Sequence, residues 1–297
     1  NQKNGEWTHY KRKNQFEVSF DQLWLKLESL GLVDEKHFQS ILNTGMYKYC
    51  PDTMNVTQAQ HEALTSIIHT IDSGETFPHI GQVFLARPIL IEGDAGTGKT
   101  VVATTLFYYL KTHPKYKSLK IGLVYSNPAM RNVIQQVFAH TPGLRKTDVI
   151  APIDVTKHHY DIIICDEAQR LRQAKNIGRY IVHFKKGNER LHLDNSHDEL
   201  DWLLLNAGRL ILFYDPKQIV CPSDISQTKF DGRLKDRKRG IRPVELKEQM
   251  RIHAGSQYVP YIYDILFQRN NISKKFVNYD FKLFSSFQDM WNALEEK

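Results

Sequence analysis

The chain predicts an α/β fold, a parallel sheet with its faces covered by helices, and three features of its sequence carry that reading. Short apolar runs alternate with helix-length segments from Ile89 onward, and Ile89–Glu92, Ile121–Tyr125, Asp161–Cys165 and Leu210–Tyr214 are the strand candidates. The first of these runs leads straight into a glycine-rich loop and then into an uninterrupted apolar stretch, Thr100 to Leu110, which reads as a helix. The third run, Ile162-Ile163-Ile164-Cys165, is apolar at every position, as a strand buried on both faces must be, and it ends in two adjacent acids.

The glycine-rich loop spells G-x-x-x-x-G-K-T as Gly93-Asp94-Ala95-Gly96-Thr97-Gly98-Lys99-Thr100, the phosphate-binding loop (Walker A) of a P-loop NTPase. A triphosphate must be wrapped by backbone N–H groups, so glycines leave room for close approach and unusual dihedrals. Lys99 is expected to reach the β- and γ-phosphates, and the Thr100 hydroxyl to hold Mg²⁺. The helix that follows turns its positive end toward the phosphates. At the third strand, Asp166 is expected in the Mg²⁺ shell and Glu167 beside the attacking water. The ordinary alternative is an exposed Asp-Glu turn. The apolar residues before the pair and the loop upstream favour the strand end.

Asp166-Glu167-Ala168-Gln169 resembles the second motif of superfamily 1 helicases, which are built from two RecA-like domains, and other segments follow in that family's order. Val56–Leu64 is similar to the Q motif, in which Gln60 would read the adenine edge. Thr57-x-x-Gln60 is equally a helix capping box, so Gln60 has an ordinary reading as well. Ser126-Asn127-Pro128-Ala129 resembles the motif that touches a nucleic-acid strand. Phe213–Gln218 looks like the third motif, whose Gln218 would sense the γ-phosphate. Leu246–Arg251 looks like the fourth, with Arg251 aimed at the γ-phosphate across the domain cleft. The residues around Asp161–Arg172 and Asp201–Ile225 are most similar to the Schlafen-group-3-like DNA/RNA helicase domain of bacteria.

The resemblance implies a RecA-like P-loop NTPase with a helix-covered parallel sheet, plus the beginning of a second RecA-like domain. It implies an ATP hydrolase with ATP and Mg²⁺ as cofactors, and Lys99, Glu167, Gln218 and Arg251 as the catalytic set. Nucleic acid, DNA or RNA and single-stranded, is the implied partner. The expected division is an N-terminal helical segment over residues 1–52, a first ATPase domain over 53–240 and an incomplete second domain over 241–297. Two departures stand out. Tyr214 occupies a position usually held by glycine in the third motif, and no counterpart of the fifth and sixth motifs precedes Lys297. With Asn1 in place of an initiator methionine, the chain reads as a fragment, and weak turnover is expected of it. The alternative is a nucleotide-dependent switch, regulatory or part of a defence system, that binds ATP without unwinding. A small-molecule phosphotransferase fits poorly, because the second and third motifs serve water activation and γ-phosphate sensing.

Composition agrees with this reading. A hydrophobic content of 41% suffices for a packed core, and the net charge of +7 is compatible with a polyanion partner. The longest apolar runs fall far short of a membrane span and no signal peptide is seen, so a cytoplasmic protein is expected. Cys50, Cys165 and Cys221 show no metal spacing. Near the start, Ser19-Phe20-Asp21-Gln22 is a capping box, and Phe20, Leu23, Trp24, Leu27 and Leu30 share one helical face before Gly31. Asp34 can cap a second helix reaching Leu42. Residues 173–200 read as a long insert with a helix near its start, and Phe276–Glu296 as one strand and one helix. Arg170 and Arg172 can pair with phosphates or with nearby acids. The basic run Lys229, Arg233, Lys235, Arg237, Lys238, Arg239 and Arg242 can contact a nucleic-acid backbone or lie in solvent.

Overall fold

A computed structural model describes residues 51, 56–73, 88–235, 244–248, 257–267, 274–276, 279, 282 and 284–296. The two N-terminal helices expected around Phe20 and Asp34 lie outside the described residues. Within them the order is α1 (Gln58–Asp72), β1 (Pro88–Gly93), α2 (Lys99–Thr112), β2 (Ile121–Tyr125), α3 (Pro128–His140), β3 (Val149–Ile150), α4 (Pro152–Val155) and β4 (Tyr160–Asp166). Then come α5 (Ile181–Arg190), α6 (Glu199–Asn206), β5 (Ala207–Tyr214), α7 (Gln227–Lys235), β6 (Val244–Leu246), α8 (Tyr258–Leu266) and α9 (Phe287–Glu295).

The six strands form one sheet in the order β3-β2-β4-β5-β1-β6, and every pairing is parallel. Parallel neighbours need crossovers, and these place helices on both faces. Because side chains alternate along a strand, each apolar run feeds two cores. Ile89, Ile91, Leu123, Ile162, Ile164, Ile211 and Phe213 point to one face and pack with Ile67 of α1, Leu106 and Phe107 of α2 and Phe138 of α3. Leu90, Val124, Ile163, Cys165, Leu210, Leu212 and Tyr214 point to the other, against Leu200 and Leu203 of α6 and Phe230 and Leu234 of α7. Burying each large apolar side chain contributes roughly 1.5–3 kcal/mol, so the two-sided runs dominate the stability of the sheet.

The four expected strands are all present. β1, β4 and β5 run slightly beyond the expected ends, and β2 matches them. Two edge strands, β3 and β6, are too short to register as apolar runs. β6 pairs with β1 of this sheet although it lies beyond residue 240, the end expected for the first domain. The insert carries α5, preceded by a single 3-10 turn at Gly178–Tyr180, so its helix is central and not near the start. Among the described residues after 275, Phe276 and Tyr279 form an isolated antiparallel bridge and α9 supplies the expected helix, while much of the expected strand lies outside the described residues.

Candidate functional site

The C-terminal ends of β1, β4 and β5 meet at one edge of the sheet, and each delivers part of the site. β1 ends at Gly93, where a Cβ would lie 2.6 Å from Thr97 Oγ1 and 3.0 Å from the Leu246 carbonyl, so only glycine fits. The loop then folds on itself. Thr97 Oγ1 donates to the Asp94 carbonyl at 2.9 Å, and Gly96 and Gly98 both adopt φ of 84°. Gly98 begins α2 with no side-chain cap on the helix's first turn, which leaves that positive end open to an anion. Lys99 is buried, and its Nζ donates to the carbonyls of Gly93 at 2.6 Å and Asp94 at 3.0 Å. The same ammonium lies 3.5 Å from Asp215 Oδ2.

β4 supplies the acids. Asp166 is fully buried and accepts from Thr100 Oγ1 at 2.7 Å and from the Glu167 N–H at 3.0 Å. Burial pushes its carboxyl above the usual range, against the pull of Thr100 and its other donors. Glu167 follows with φ of 53° and ψ of 46°, a left-handed backbone on a residue with a side chain. Such a conformation costs on the order of 1 kcal/mol and persists only where the surroundings hold it. Burial, and then the neighbouring Asp166 charge, raise the Glu167 carboxyl. Its Oε2 accepts from Gln169 Nε2 at 2.7 Å. Gln169 is fully buried, and its Oε1 accepts from the Asp215 N–H at 3.1 Å.

β5 brings the third segment. Tyr214, where glycine is usual, is buried and stacks on Phe230 at 4.1 Å, so it serves the core of the sheet's second face. Asp215 is buried and caps the 3-10 turn Pro216–Gln218 through the Lys217 N–H at 3.1 Å, while Gln218 Nε2 donates to its Oδ2 at 2.7 Å. Lys217 turns outward, pairing with Asp94 at 2.8 Å and lying 4.4 Å above the Tyr263 ring of α8. A cleft of about 420 Å³ opens at this edge, lined by Gly93, Asp94, Thr97, Asp215 and Lys217 on one side and by Leu246, Val259 and Pro260 on the other.

The sequence-derived candidates are thus largely brought together. Gln60 closes a capping box with Thr57 at the start of α1, and its Nε2 also donates to the Thr97 carbonyl at 3.4 Å, so one side chain joins helix cap and phosphate loop. Ala95 lies in the loop's turn, between Asp94 and Gly96. Asn127 caps α3 through the Ala129 N–H at 2.9 Å, and Ser126 is buried beside Glu199. Arg170 pairs with the buried Asp224 at 3.3 Å, the ordinary salt bridge. In the basic run, Lys229 meets Asp198 at 3.1 Å and Arg233 meets Asp201 at 3.0 Å, so both charges are matched by acids at the start of α6. The Lys235 side chain, Arg237, Lys238, Arg239, Arg242 and Arg251 lie outside what the structure describes. Gln169 and Glu199 are among the buried polar groups to which the sequence reading assigned no role. The first stood in plain view within the second motif, whereas nothing around Glu199 in the sequence marks it as buried.

Among the described residues, no group of acids, histidines and cysteines forms a separate metal cluster, and no helix is long and apolar enough to cross a membrane. The phosphate loop after β1 and the acids after β4, with β5 between them, make the RecA-like P-loop arrangement. Among curated sequences the chain is similar to the uncharacterized protein YPL245W of Saccharomyces cerevisiae, 26% identical over 243 residues. That match covers 70% of this chain and 51% of the yeast protein, so the chain spans about half the length of this relative. Similar solved structures include AMPPCP-bound DnaA from Aquifex aeolicus, at 15% identity and TM-score 0.32, covering 77% of this chain and 57% of that one. Bacteroides Pif1 bound to ssDNA matches at 11% identity and TM-score 0.34, covering 82% of this chain and 56% of that one. Residues 87–297 match the family model for the Schlafen group 3, DNA/RNA helicase domain, and the chain belongs to that family.

Proposed function

We propose that this chain is the ATP-hydrolysing part of a superfamily 1 DNA/RNA helicase, acting with Mg²⁺ on single-stranded nucleic acid. The observation that carries the reading is the 2.7 Å hydrogen bond between Thr100 Oγ1 and Asp166 Oδ2, which unites phosphate loop and acid strand around one point. A hydroxyl and a carboxylate held together in this way are hard oxygen donors suited to Mg²⁺. Thr100 and Asp166 would hold the ion, which when bound neutralises charge on the β- and γ-phosphates. Gly93, Asp94, Ala95, Gly96, Thr97 and Gly98 would present their backbone to the phosphates. Lys99 would exchange its carbonyl partners for phosphate oxygens.

Glu167 is the proposed general base. Burial and the Asp166 charge raise its carboxyl, which favours taking a proton, and its place beside Asp166 at the end of β4 supports a position by the attacking water. Gln218 would sense the γ-phosphate from its place on Asp215, Arg251 would complete the charge from the second domain, and Gln60 would read the adenine edge. The proposed division is 1–52 for the N-terminal segment, 53–240 for the ATPase core, with β6 added to its sheet, and the rest of 241–297 for the start of the second domain. Segment 126–129 is the proposed strand contact.

The test is ATP binding and hydrolysis with and without single-stranded DNA or RNA. Lys99→Ala should abolish tight ATP binding. Glu167→Gln should keep binding and slow hydrolysis by about 10²–10⁴-fold, the worth of a general base. Equal loss of affinity in both variants would show the carboxylate to be wrongly assigned. Hydrolysis that ignores nucleic acid altogether would favour the nucleotide-dependent switch.

A further inference from the structure

We propose that Gln169 is a positioning residue that sets the Glu167 carboxylate in register with Asp215 at the end of β5. This rests on the proposed hydrolysis at Glu167. The geometry is specific. The Gln169 amide is fully buried, and its two ends meet partners of opposite polarity: Nε2 donates to Glu167 Oε2 at 2.7 Å, and Oε1 accepts from the Asp215 N–H at 3.1 Å. A carboxylate can only accept and a backbone N–H can only donate, so the amide has one possible orientation. Turned over, it would oppose like groups at both ends in a buried setting, where an unmet polar atom is costly.

The backbone is bent to make this contact. Glu167 takes its left-handed conformation, and the 3-10 turn Ala168–Arg170 then closes with the Arg170 N–H on the Glu167 carbonyl at 2.8 Å. That turn folds Gln169 back under the strand end, between β4 and β5. Beyond it, Asp215 accepts from Gln218 Nε2 at 2.7 Å and lies 3.5 Å from Lys99 Nζ. Lys99 thus faces the Asp215 carboxylate, while the Asp215 backbone N–H holds Gln169 and Gln169 holds Glu167. Gln169 ties the Glu167 carboxylate to the end of β5.

The experiment measures ATP hydrolysis by the full chain, together with fluorescent-nucleotide affinity and thermal unfolding, for wild type, Glu167→Gln, Gln169→Leu, Gln169→Glu and the double variant Glu167→Gln/Gln169→Leu. Gln169→Leu should lower kcat roughly 10- to 100-fold, a fraction of the general-base effect, and leave nucleotide affinity within about threefold. Gln169→Glu, which sets an oxygen against Oε2 while keeping the acceptor for the Asp215 N–H, should lower kcat at least as far with the same affinity. The double variant should be no slower than Glu167→Gln alone. A packing role predicts lower thermal stability, kcat and affinity falling together, and additive losses, and that result overturns the inference. If Gln169→Leu does not fold, Gln169→Glu decides by itself, and a kcat within about twofold of wild type overturns the inference. A wild type that does not hydrolyse ATP, or a Glu167→Gln variant as fast as wild type, sinks the hydrolysis reading and the role of Gln169 with it. An active wild type, an inactive Glu167→Gln and an unaffected Gln169→Leu remove Gln169 alone.

Discussion

Two independent constraints meet at Gly98. Its φ of 84° is open to glycine and strained for any residue with a Cβ, and a Cβ there would also collide with the Gln60 amide. A left-handed conformation costs alanine about 1–2 kcal/mol, and the displaced Gln60 loses its hold on the Thr97 carbonyl. Gly98→Ala should therefore lower the unfolding midpoint and weaken nucleotide binding. Thermal unfolding with and without ATP measures both effects, and an unchanged midpoint with unchanged binding would mean that the loop absorbs the added methyl without strain. Glu167 is the contrasting case, a left-handed residue that carries a side chain. The glycines of the loop were legible in the sequence through their spacing. The dihedral of Glu167 was not, since a glutamate gives no sign of a positive φ.

At the scale of elements, β1, β2, β4 and β5 were readable because each is buried on both faces and hence apolar at nearly every position. β3 and β6 offer two and three residues and gain their identity only by pairing with β2 and β1. The start of α6 shows what such local reading misses. Glu199, its first residue, is buried where the end of β2, the segment after β4 and the insert converge. It accepts from the Tyr180 hydroxyl at 2.9 Å, the Arg172 N–H at 2.9 Å and Ser126 Oγ at 3.5 Å, with the Cys165 thiol close by. Burial raises its carboxyl from the usual 4.5 to about 7, despite these donors and the nearby Arg172 charge. A folded-state value above the unfolded one means that stability is fully present below about pH 4.5 and declines as pH rises through about 7. Ionisation by pH 8 should then cost on the order of 3 kcal/mol. Glu199→Gln, which cannot ionise, should remove that slope. Urea unfolding of both proteins at pH 5 and pH 8 measures it, and parallel stability at the two pH values would show that Glu199 does not titrate in this range.

Across the whole molecule, Lys217 is the point where the sheet meets the C-terminal segment. The sheet delivers it at the end of β5, its ammonium pairs with Asp94 of the phosphate loop, and the same charge lies over Tyr263 of α8. Val259 and Pro260 of α8 then form the outer wall of the cleft, while Tyr258 packs edge-on to Phe276 and Tyr279. Substituting Lys217 by alanine removes both contacts at once. Each is partly exposed, so screening limits the pair with Asp94 to about 0–1 kcal/mol and the ring contact to about 0.5–1 kcal/mol. Neither is large enough to move the unfolding of the sheet, whose strength lies in the two apolar cores. Both are large against a local opening of α8, where burial is slight: Leu266 and Phe267 are left more than half exposed. Hydrogen exchange should therefore separate the two scales. Lys217→Ala should speed exchange in residues 257–267 by roughly two- to tenfold, leave β1, β4 and β5 unchanged, and shift the global midpoint little. Lys217→Arg, which keeps the charge and stacks on tyrosine, should stay near wild type. Faster exchange in the strands would mean that Lys217 supports the core. Unchanged exchange in 257–267 would mean that the position of α8 is set by Val259, Pro260 and the ring contacts of Tyr258.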